Sequence, residues 1–128
     1  MHLINIVIYY FFFNTIEGLP QNPNNIYGQV ELKKNGSQLE IFSSKSAILN
    51  WDAFSIGSGE RVYFHQDDVG RVLNRILSNV PSIIEGELLS QGAVYLMNPE
   101  GIIITKSGHI DRLDLYMPRN HFHPQVFD

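Results

Sequence analysis

The sequence predicts an all-β domain, on the evidence of its short apolar runs, their spacing and the turn residues between them. Runs rich in Ile, Val, Leu, Phe and Tyr recur about every 8 to 12 residues, mostly with Gly between them. The dipeptide Asn35-Gly36 is typical of a tight hairpin, which requires positive backbone angles. At 128 residues, 44% hydrophobic and 17% charged, the chain is too apolar for intrinsic disorder and long enough for one domain.

Charge and cysteine content exclude several classes of protein. The chain has 9 Lys and Arg against 13 Asp and Glu, for a net charge of -4. It therefore lacks the positive surface that nucleic-acid binding needs, and no nucleic-acid partner is expected. Because it has no Cys, it forms no disulfide, no thiolate zinc site and no cysteine nucleophile.

Residues 1–17 are interpreted as a degenerate signal segment. Leu3–Phe13 is apolar except for Asn5, which suits the core of a signal peptide and falls short of the ~20 residues that span a bilayer. Only His2 precedes this run, the first Lys or Arg is Lys33, and no small-x-small cleavage site follows the run. Its Ile, Val, Tyr and Phe also suit a buried first strand, so both interpretations stay open.

The body is expected over residues 18–111. Gly18–Gly28 is rich in Pro, Asn and Gln, which predicts a linker or turn where the folded part begins. The segment Asp67–Ser78 fits either an amphipathic helix, against which Gly70 counts, or a loop followed by a strand over Val72–Leu77. The other strands are expected at 29–32, 38–42, 47–49, 54–56, 62–64, 83–84, 93–97 and 102–104.

A divergent tail is expected over residues 112–128. Charged and apolar residues mix there without a clear period, and Pro118 and Pro124 interrupt any strand, which predicts an unstructured or poorly packed end. The pattern of the body itself suits both a β-sandwich and a parallel β-helix. Both folds use short strands, apolar stacks and Gly or Asn at the corners.

Five sequence blocks occur in order along the body. They are 47–60 (AILNWDAFSIGSGE), 62–64 (VYF), 73–76 (LNRI), 82–88 (SIIEGEL) and 92–102 (GAVYLMNPEGI). With Leu19-Pro20 and Gly28-Gln29-Val30, they closely resemble the amino-terminal domain of the filamentous haemagglutinin family. These are the large exoproteins of bacterial two-partner secretion, and the resemblance covers about residues 18–111.

The resemblance implies a right-handed parallel β-helix, a single-stranded solenoid with an amino-terminal cap. It implies export to the periplasm, where the periplasmic domains of an outer-membrane pore recognise the domain while it is still extended. The exoprotein then reaches the cell surface or the medium, and its adhesin part contacts the host cell. On this interpretation the domain is a secretion address and a folding nucleus, with no catalysis and no cofactor.

The chain departs from the family at three places. The family motif Asn-Pro-Asn-Gly-Ile appears as Asn98-Pro99-Glu100-Gly101-Ile102, and its companion Asn-Pro-Asn-Leu is missing, because Asn22-Pro23-Asn24 lies too early. After Asp111 the family continues with Gly-rich coils, whereas this chain turns to Arg112-Leu113-Asp114. We therefore expect a truncated or frame-shifted fragment. The alternatives are a short surface adhesion module that binds a host glycan or protein, and a non-functional gene remnant.

The candidate recognition residues are Asn98, Pro99, Glu100 and Gly101, together with Asn50 and Trp51. Residues 98–101 predict a β-turn, whose role is either that of a structural corner or of a contact with the pore. Trp51, the only Trp, is expected to anchor the core, and Asn50 to satisfy backbone groups at a corner.

No catalytic residue and no metal site is predicted, because no motif of an enzyme occurs. His65, Asp67 and Asp68 are interpreted as a solvated loop, since no second cluster at ligand spacing supports them. His121 and His123 fall in the tail. Two further carboxylates share a strand face and are interpreted as solvent-facing: Glu85 and Glu87.

Overall fold

In the computed structural model, every regular element of the described residues is a β-strand. These residues are 18–111, 113–115 and 125–127, the last two segments by backbone alone. The strands are β1 (Asn24–Tyr27), β2 (Val30–Asn35), β3 (Gln38–Ser43), β4 (Ser46–Trp51), β5 (Arg61–His65), β6 (Arg71–Ile76), β7 (Ser82–Ile84), β8 (Glu87–Ser90), β9 (Ala93–Met97), β10 (Ile102–Thr105), β11 (His109–Ile110), β12 (Leu113–Leu115) and β13 (Gln125–Phe127).

The strands form three sheets that wind into a β-solenoid of about three turns. The first sheet has the order β1-β4-β6-β9-β12, the second β2-β3-β5-β8-β11 and the third β7-β10-β13. Successive coils stack in parallel and in register: β4 pairs with β6 from Ser46 beside Arg71 to Trp51 beside Ile76. The predicted all-β solenoid is confirmed.

An amino-terminal cap closes the first coil. Strand β1 pairs antiparallel with β4, and β2 pairs antiparallel with β3, whereas the coils below them pair in parallel. The cap strands β1 and β2 are exposed along almost their whole length. They occupy the edge that the first coil would otherwise present to solvent.

The core is a set of apolar stacks inside the solenoid. In β4 and β6 buried and partly exposed residues alternate, as expected of strands with one face inward. Each inward residue packs on its partner in the next coil. The buried apolar residues are Leu19, Leu39, Ile41, Ala47, Leu49, Trp51, Phe54, Ile56, Val62, Phe64, Val72, Ile76, Ile84, Leu88, Val94, Leu96 and Ile102.

The structure decides between the alternatives for Asp67–Ser78. The segment contains a turn followed by β6, so the prediction of a loop and a strand is confirmed and the helix is wrong. The apolar residues that suggested a helical face are divided between the two sides of the strand: Val72 and Ile76 are buried, whereas Leu73 lies on the outer face.

Three other expectations need correction. Residues 24–27, predicted as part of a linker, form β1, because their backbone pairs with the exposed edge of β4. Residues 54–56 form no strand and contribute only an isolated bridge from Ile56 to Ile84. The tail is not unstructured throughout, since β12 pairs with β9 and β13 with β10. Both tail strands avoid the two prolines that suggested disorder.

The strand β8 had no counterpart among the predicted strands, although its residues lie partly in the fourth sequence block. Residues 1–17 lie outside the described residues, so neither interpretation of them is tested. Within the described part of the chain there is no helix of the length and hydrophobicity needed to cross a membrane.

Candidate recognition turn

The predicted turn at residues 98–101 connects β9 to β10 at a corner of the third coil. The N–H of Gly101 donates to the carbonyl oxygen of Asn98 at 3.0 Å, which closes a β-turn. Gly101 has a φ of 112°, a value that L side chains rarely adopt, so Gly is required there. The carbonyl oxygen of Gly101 accepts from the N–H of Ser82, which ties the turn to the coil before it.

Asn98 is fully buried and uses both ends of its amide. Its Oδ1 accepts from the N–H of Glu100 at 2.9 Å, so the side chain supports the turn from inside. Its Nδ2 donates to the carbonyl oxygen of Val80 at 3.2 Å and to Oγ of Ser82 at 3.0 Å. Asn98 therefore joins two coils, which explains why this corner needs a side-chain amide.

Pro99 and Glu100 form the tip of the turn, and both are exposed. Neither side chain has a hydrogen bond or an ion pair among the described residues. In Glu100 it is the backbone N–H that donates a hydrogen bond, to Oδ1 of Asn98. The four turn residues thus divide into two groups. Asn98 and Gly101 build the corner, whereas Pro99 and Glu100 present their side chains to solvent.

Asn50 does not have the role that the sequence suggested. It lies inside β4 on the outer face of the first sheet, and its Oδ1 accepts from Nε of Arg75 at 2.8 Å. The expectation that it satisfies backbone groups at a corner is wrong, because at a strand position the backbone is already paired with the next coil. Asn98 makes the backbone contacts that were expected of Asn50.

Trp51 is fully buried, which confirms its predicted place in the core. Its ring meets the ring of Phe54 edge to face, with centroids 5.3 Å apart. Its Nε1 donates to Oδ1 of Asn74 at 2.8 Å, and Nδ2 of Asn74 donates to the carbonyl oxygen of Tyr95 at 3.2 Å. Asn74 is fully buried and links three coils, as Trp51, Asn74 and Tyr95 lie in β4, β6 and β9.

Asn74 was not singled out from the sequence, although a signal was present. It occupies an inward position of the alternating run Val72, Asn74, Ile76, where an amide must find a partner. Asn50 and Trp51 lie at the end of β4, and Asn98 follows β9, so all three are at the same corner of the solenoid. Each has its own hydrogen-bond partner, and they form no common cluster.

His65 lies on the outer face of the second sheet and not in a loop. Its ring stacks between those of Phe42 and Tyr63, with centroid distances of 4.4 and 4.1 Å, and its Nε2 is 2.8 Å from Oε1 of Glu40. Asp67 and Asp68 are exposed in the following turn, as expected. No group of three His, Asp or Glu residues suited to a metal ion occurs in the described ranges.

The two carboxylates predicted to share a strand face are separated by a corner. Glu85 is exposed between β7 and β8, whereas Glu87 begins β8. The Glu87 carboxylate forms an ion pair with Arg61 at 2.8 Å, and both side chains are more than two-fifths exposed. The expectation of a common face is therefore wrong, because Gly86 turns the chain between them, and Glu87 is paired as well as solvated.

Comparison with known proteins places this solenoid among secretion domains. The family model described as the TPS secretion domain matches residues 17–113. The solved structure of the HMW1 secretion domain from Haemophilus influenzae superimposes with a TM-score of 0.63 and 34% identity, over 76% of this chain and 28% of that one.

Two curated relatives are heme/hemopexin-binding proteins of Haemophilus influenzae. One is 33% identical over 100 residues, which cover 77% of this chain and 11% of the relative. The other is 34% identical over 95 residues, which cover 72% of this chain and 10% of the relative. The chain thus matches about a tenth of the length of these proteins.

Proposed function

The chain belongs to the family of TPS secretion domains, and we propose from this that it is the amino-terminal secretion domain of a filamentous haemagglutinin-like exoprotein. Domains of this family are secreted through a two-partner system and interact with an outer-membrane transporter. The family is one of secretion domains and not of enzymes. The match over residues 17–113 is the observation that carries the proposal.

We further propose the route. The chain enters the periplasm, the periplasmic domains of the transporter recognise it, and the exoprotein passes through the outer membrane to the cell surface or the medium. The chain itself performs no catalysis and needs no cofactor. Contact with a host cell belongs to the remainder of the exoprotein, since about nine-tenths of each curated relative lies beyond the matched region.

A secretion assay tests the proposal. The chain, behind a signal peptide of known function and ahead of a reporter, is expressed with and without a two-partner transporter from the same genome. We expect the reporter in the medium only when the transporter is present. If the reporter stays in the periplasm in both cases while the folded chain adheres to host cells, the alternative of a free-standing adhesion module replaces the proposal.

The exposed pair Pro99 and Glu100 is our candidate for the part of the turn that the transporter recognises. The pair suits a test of recognition, because both residues are exposed and can be changed without removing a hydrogen bond made by a side chain within the described residues. Asn98 is less suitable for the test, because its replacement also destabilises the corner. In an extended chain the side chains of Asn98, Pro99 and Glu100 are all accessible to the transporter.

The double variant Pro99→Ala, Glu100→Ala tests this candidate. We expect secretion to fall while the urea midpoint of the purified domain stays the same. The matched control is Asp67→Ala, Asp68→Ala, an exposed pair in the turn between β5 and β6, which Gly70 closes by donating to the carbonyl oxygen of Asp67. Equal secretion by the two variants would show that residues 98–101 are a structural corner only.

Residues 1–17 remain a predicted export signal, and the mass of the exported protein tests the prediction. Cleavage within this segment supports the signal, whereas an intact start supports the buried strand. Sequencing the DNA on both sides of the gene tests the prediction of a truncated fragment. A downstream frame that resumes a β-helix exoprotein is the expected result.

A further inference from the structure

The outer face of the first sheet combines positive charge with apolar side chains. Its outward positions in β4, β6 and β9 are Ser46, Ile48, Asn50, Arg71, Leu73, Arg75, Ala93, Tyr95 and Met97. This set contains two arginines and no carboxylate, although the whole chain has a net charge of -4. The outward positions of these three strands are therefore positive on a molecule that is negative overall, and β12, at the edge of the same sheet, places Asp114 in register with Tyr95.

An apolar row crosses this face between the two arginines. Tyr27 pairs with Ile48, Ile48 with Leu73, and Leu73 with Tyr95, so the four side chains stand in register across four strands. They line an open groove of about 470 Å³, which Arg71 borders. Tyr27 is 60% exposed, and large aromatic side chains with this exposure are typical anchors of protein interfaces.

The charges of the two arginines are not neutralised within the described residues. Arg75 donates to the uncharged Oδ1 of Asn50, and Arg71 is in neither of the ion pairs found there. Those pairs, Arg61 with Glu87 and Glu40 with His65, both lie on the second sheet, so its one described arginine has a carboxylate partner. Among the described arginines, the two without an ion pair, Arg71 and Arg75, both lie on the first sheet beside the apolar row.

We propose that this face docks an extended polypeptide segment with acidic, apolar and acidic side chains at alternate positions. Arg71, Leu73 and Arg75 point outward from one strand, so neighbouring groups are about 6.6 Å apart. An extended segment that runs along β6 has the same spacing on the side that faces the sheet. Its two carboxylates then meet the guanidinium groups, which bind carboxylates in a planar, bidentate manner. Its central side chain fills the groove between Ile48 and Tyr95.

Charge complementarity and this spacing favour a polypeptide as the occupant. Two arginines on a chain of net charge -4 are too few to hold a polyanion, which binds through many contacts. A central apolar group flanked by two carboxylates matches the order of outward groups along β6, which is a guanidinium, an apolar side chain and a second guanidinium. The inference concerns the folded solenoid and does not rest on the proposed route of secretion.

The test is a titration of the isotope-labelled full chain with the peptide acetyl-Glu-Thr-Tyr-Thr-Glu-amide, followed by NMR. We expect amide shifts that change in β4, β6 and β9, and an apparent Kd that weakens about tenfold or more in Arg71→Gln, Arg75→Gln. The matched control is Arg61→Gln, which removes an arginine from the second sheet and should leave the Kd unchanged. If Arg75→Gln disturbs the fold, Arg71→Gln alone is expected to weaken binding about threefold to fivefold.

Four outcomes of the titration would overturn the inference. They are an absence of shifts, shifts that map to another face, an equal response to the same peptide with Gln in place of Glu, and an equal response to 3-phenylpropionate, which would assign the groove to small acids. Sedimentation of the free protein tests a further alternative, that the occupant of the face is a second copy of the chain. If the wild type self-associates and Arg71→Gln does not, the occupant is a second copy of the chain, and the docking of an acidic segment is wrong.

Discussion

At the scale of single residues, the structure depends on buried amides that join one coil to the next. Asn74 and Asn98 are both fully buried, and each uses the donor and the acceptor of its side chain. An amide that loses these partners leaves other buried polar groups unpaired, which costs more than the hydrogen bond itself contributes. One substitution therefore affects two coils at Asn98 and three coils at Asn74.

Asn98→Ala is expected to lower the free energy of unfolding by about 2–3 kcal/mol, because Ser82 Oγ and the Glu100 N–H lose their partner. Urea denaturation of the purified domain measures the change. Glu100→Ala is the control, since its side chain is exposed and its loss should cost no more than about 0.5 kcal/mol. Equal effects of the two substitutions would contradict the role given to Asn98.

The bond from Trp51 to Asn74 can be measured with a double-mutant cycle. Trp51→Phe keeps an aromatic ring and removes the N–H donor, and Asn74→Ala removes the acceptor. We expect a coupling free energy of about 1 kcal/mol, as is usual for a buried neutral hydrogen bond. Additive effects in urea denaturation would show that the 2.8 Å contact adds nothing to stability.

At the scale of elements, the corners of the solenoid limit the sequence more than the strands do. Gly86 lies where the chain turns from β7 to β8, directly against the corner of the coil before it. A Cβ atom there would overlap the carbonyl oxygens of Gly57 and Glu60. Both oxygens belong to backbone and both accept hydrogen bonds, so neither can move without loss.

Gly86→Ala is therefore expected to lower the free energy of unfolding by about 3 kcal/mol or more. The comparison is Gly36→Ala in the hairpin between β2 and β3. That position has a φ of 61° and no atom within 4 Å of an added Cβ, so only backbone strain of about 1–2 kcal/mol applies. Thermal unfolding of both variants tests whether Gly86→Ala is the more destabilising of the two. A smaller loss for Gly86→Ala would show that the corner relaxes.

The elements also show how much the sequence could predict. The short apolar runs located β3, β4, β5 and β9, because each of them has one face in the core, whereas the run over Val72–Leu77 fitted a helix as well as the strand β6. The cap strand β1 could not be found in this way, since all four of its residues are exposed and it is held by backbone pairing alone. The tail strands β12 and β13 likewise form on existing edges.

The candidate site was predicted in part. The turn at residues 98–101 followed from Pro and Gly, whose backbone preferences are local. The different roles of Asn50 and Asn98 did not follow, because they depend on which strand lies beside each residue in the next coil. Local sequence does not record that neighbour. The pairing of Asn50 with Arg75 is therefore visible only in the structure.

At the scale of the whole molecule, the open end of the solenoid is covered by the tail. Strand β12 pairs with β9, and β13 pairs with β10, so both cover edges that would otherwise present free N–H and carbonyl groups. Unpaired strand edges promote association between chains.

Truncation after Asp111 is expected to make the protein aggregate and to lower its unfolding temperature. Light scattering and thermal unfolding of the shortened chain, beside the full chain at equal concentration, measure both effects. A monodisperse truncated protein with the same unfolding temperature would contradict the role assigned to β12 and β13. The result would also show that β9 and β10 suffice as an end to the stack.

The register between coils has a consequence for the order in which the chain folds. The side-chain bonds that join neighbouring coils connect residues only 16 to 28 positions apart, from Asn98 with Ser82 to Ile83 with Ser55. Each coil therefore finds its template in the one synthesised just before it, and these bonds do not depend on a distant part of the sequence. A chain that emerges from a pore with its amino terminus first can fold one coil at a time. Each folded coil then hinders the chain from sliding back through the pore.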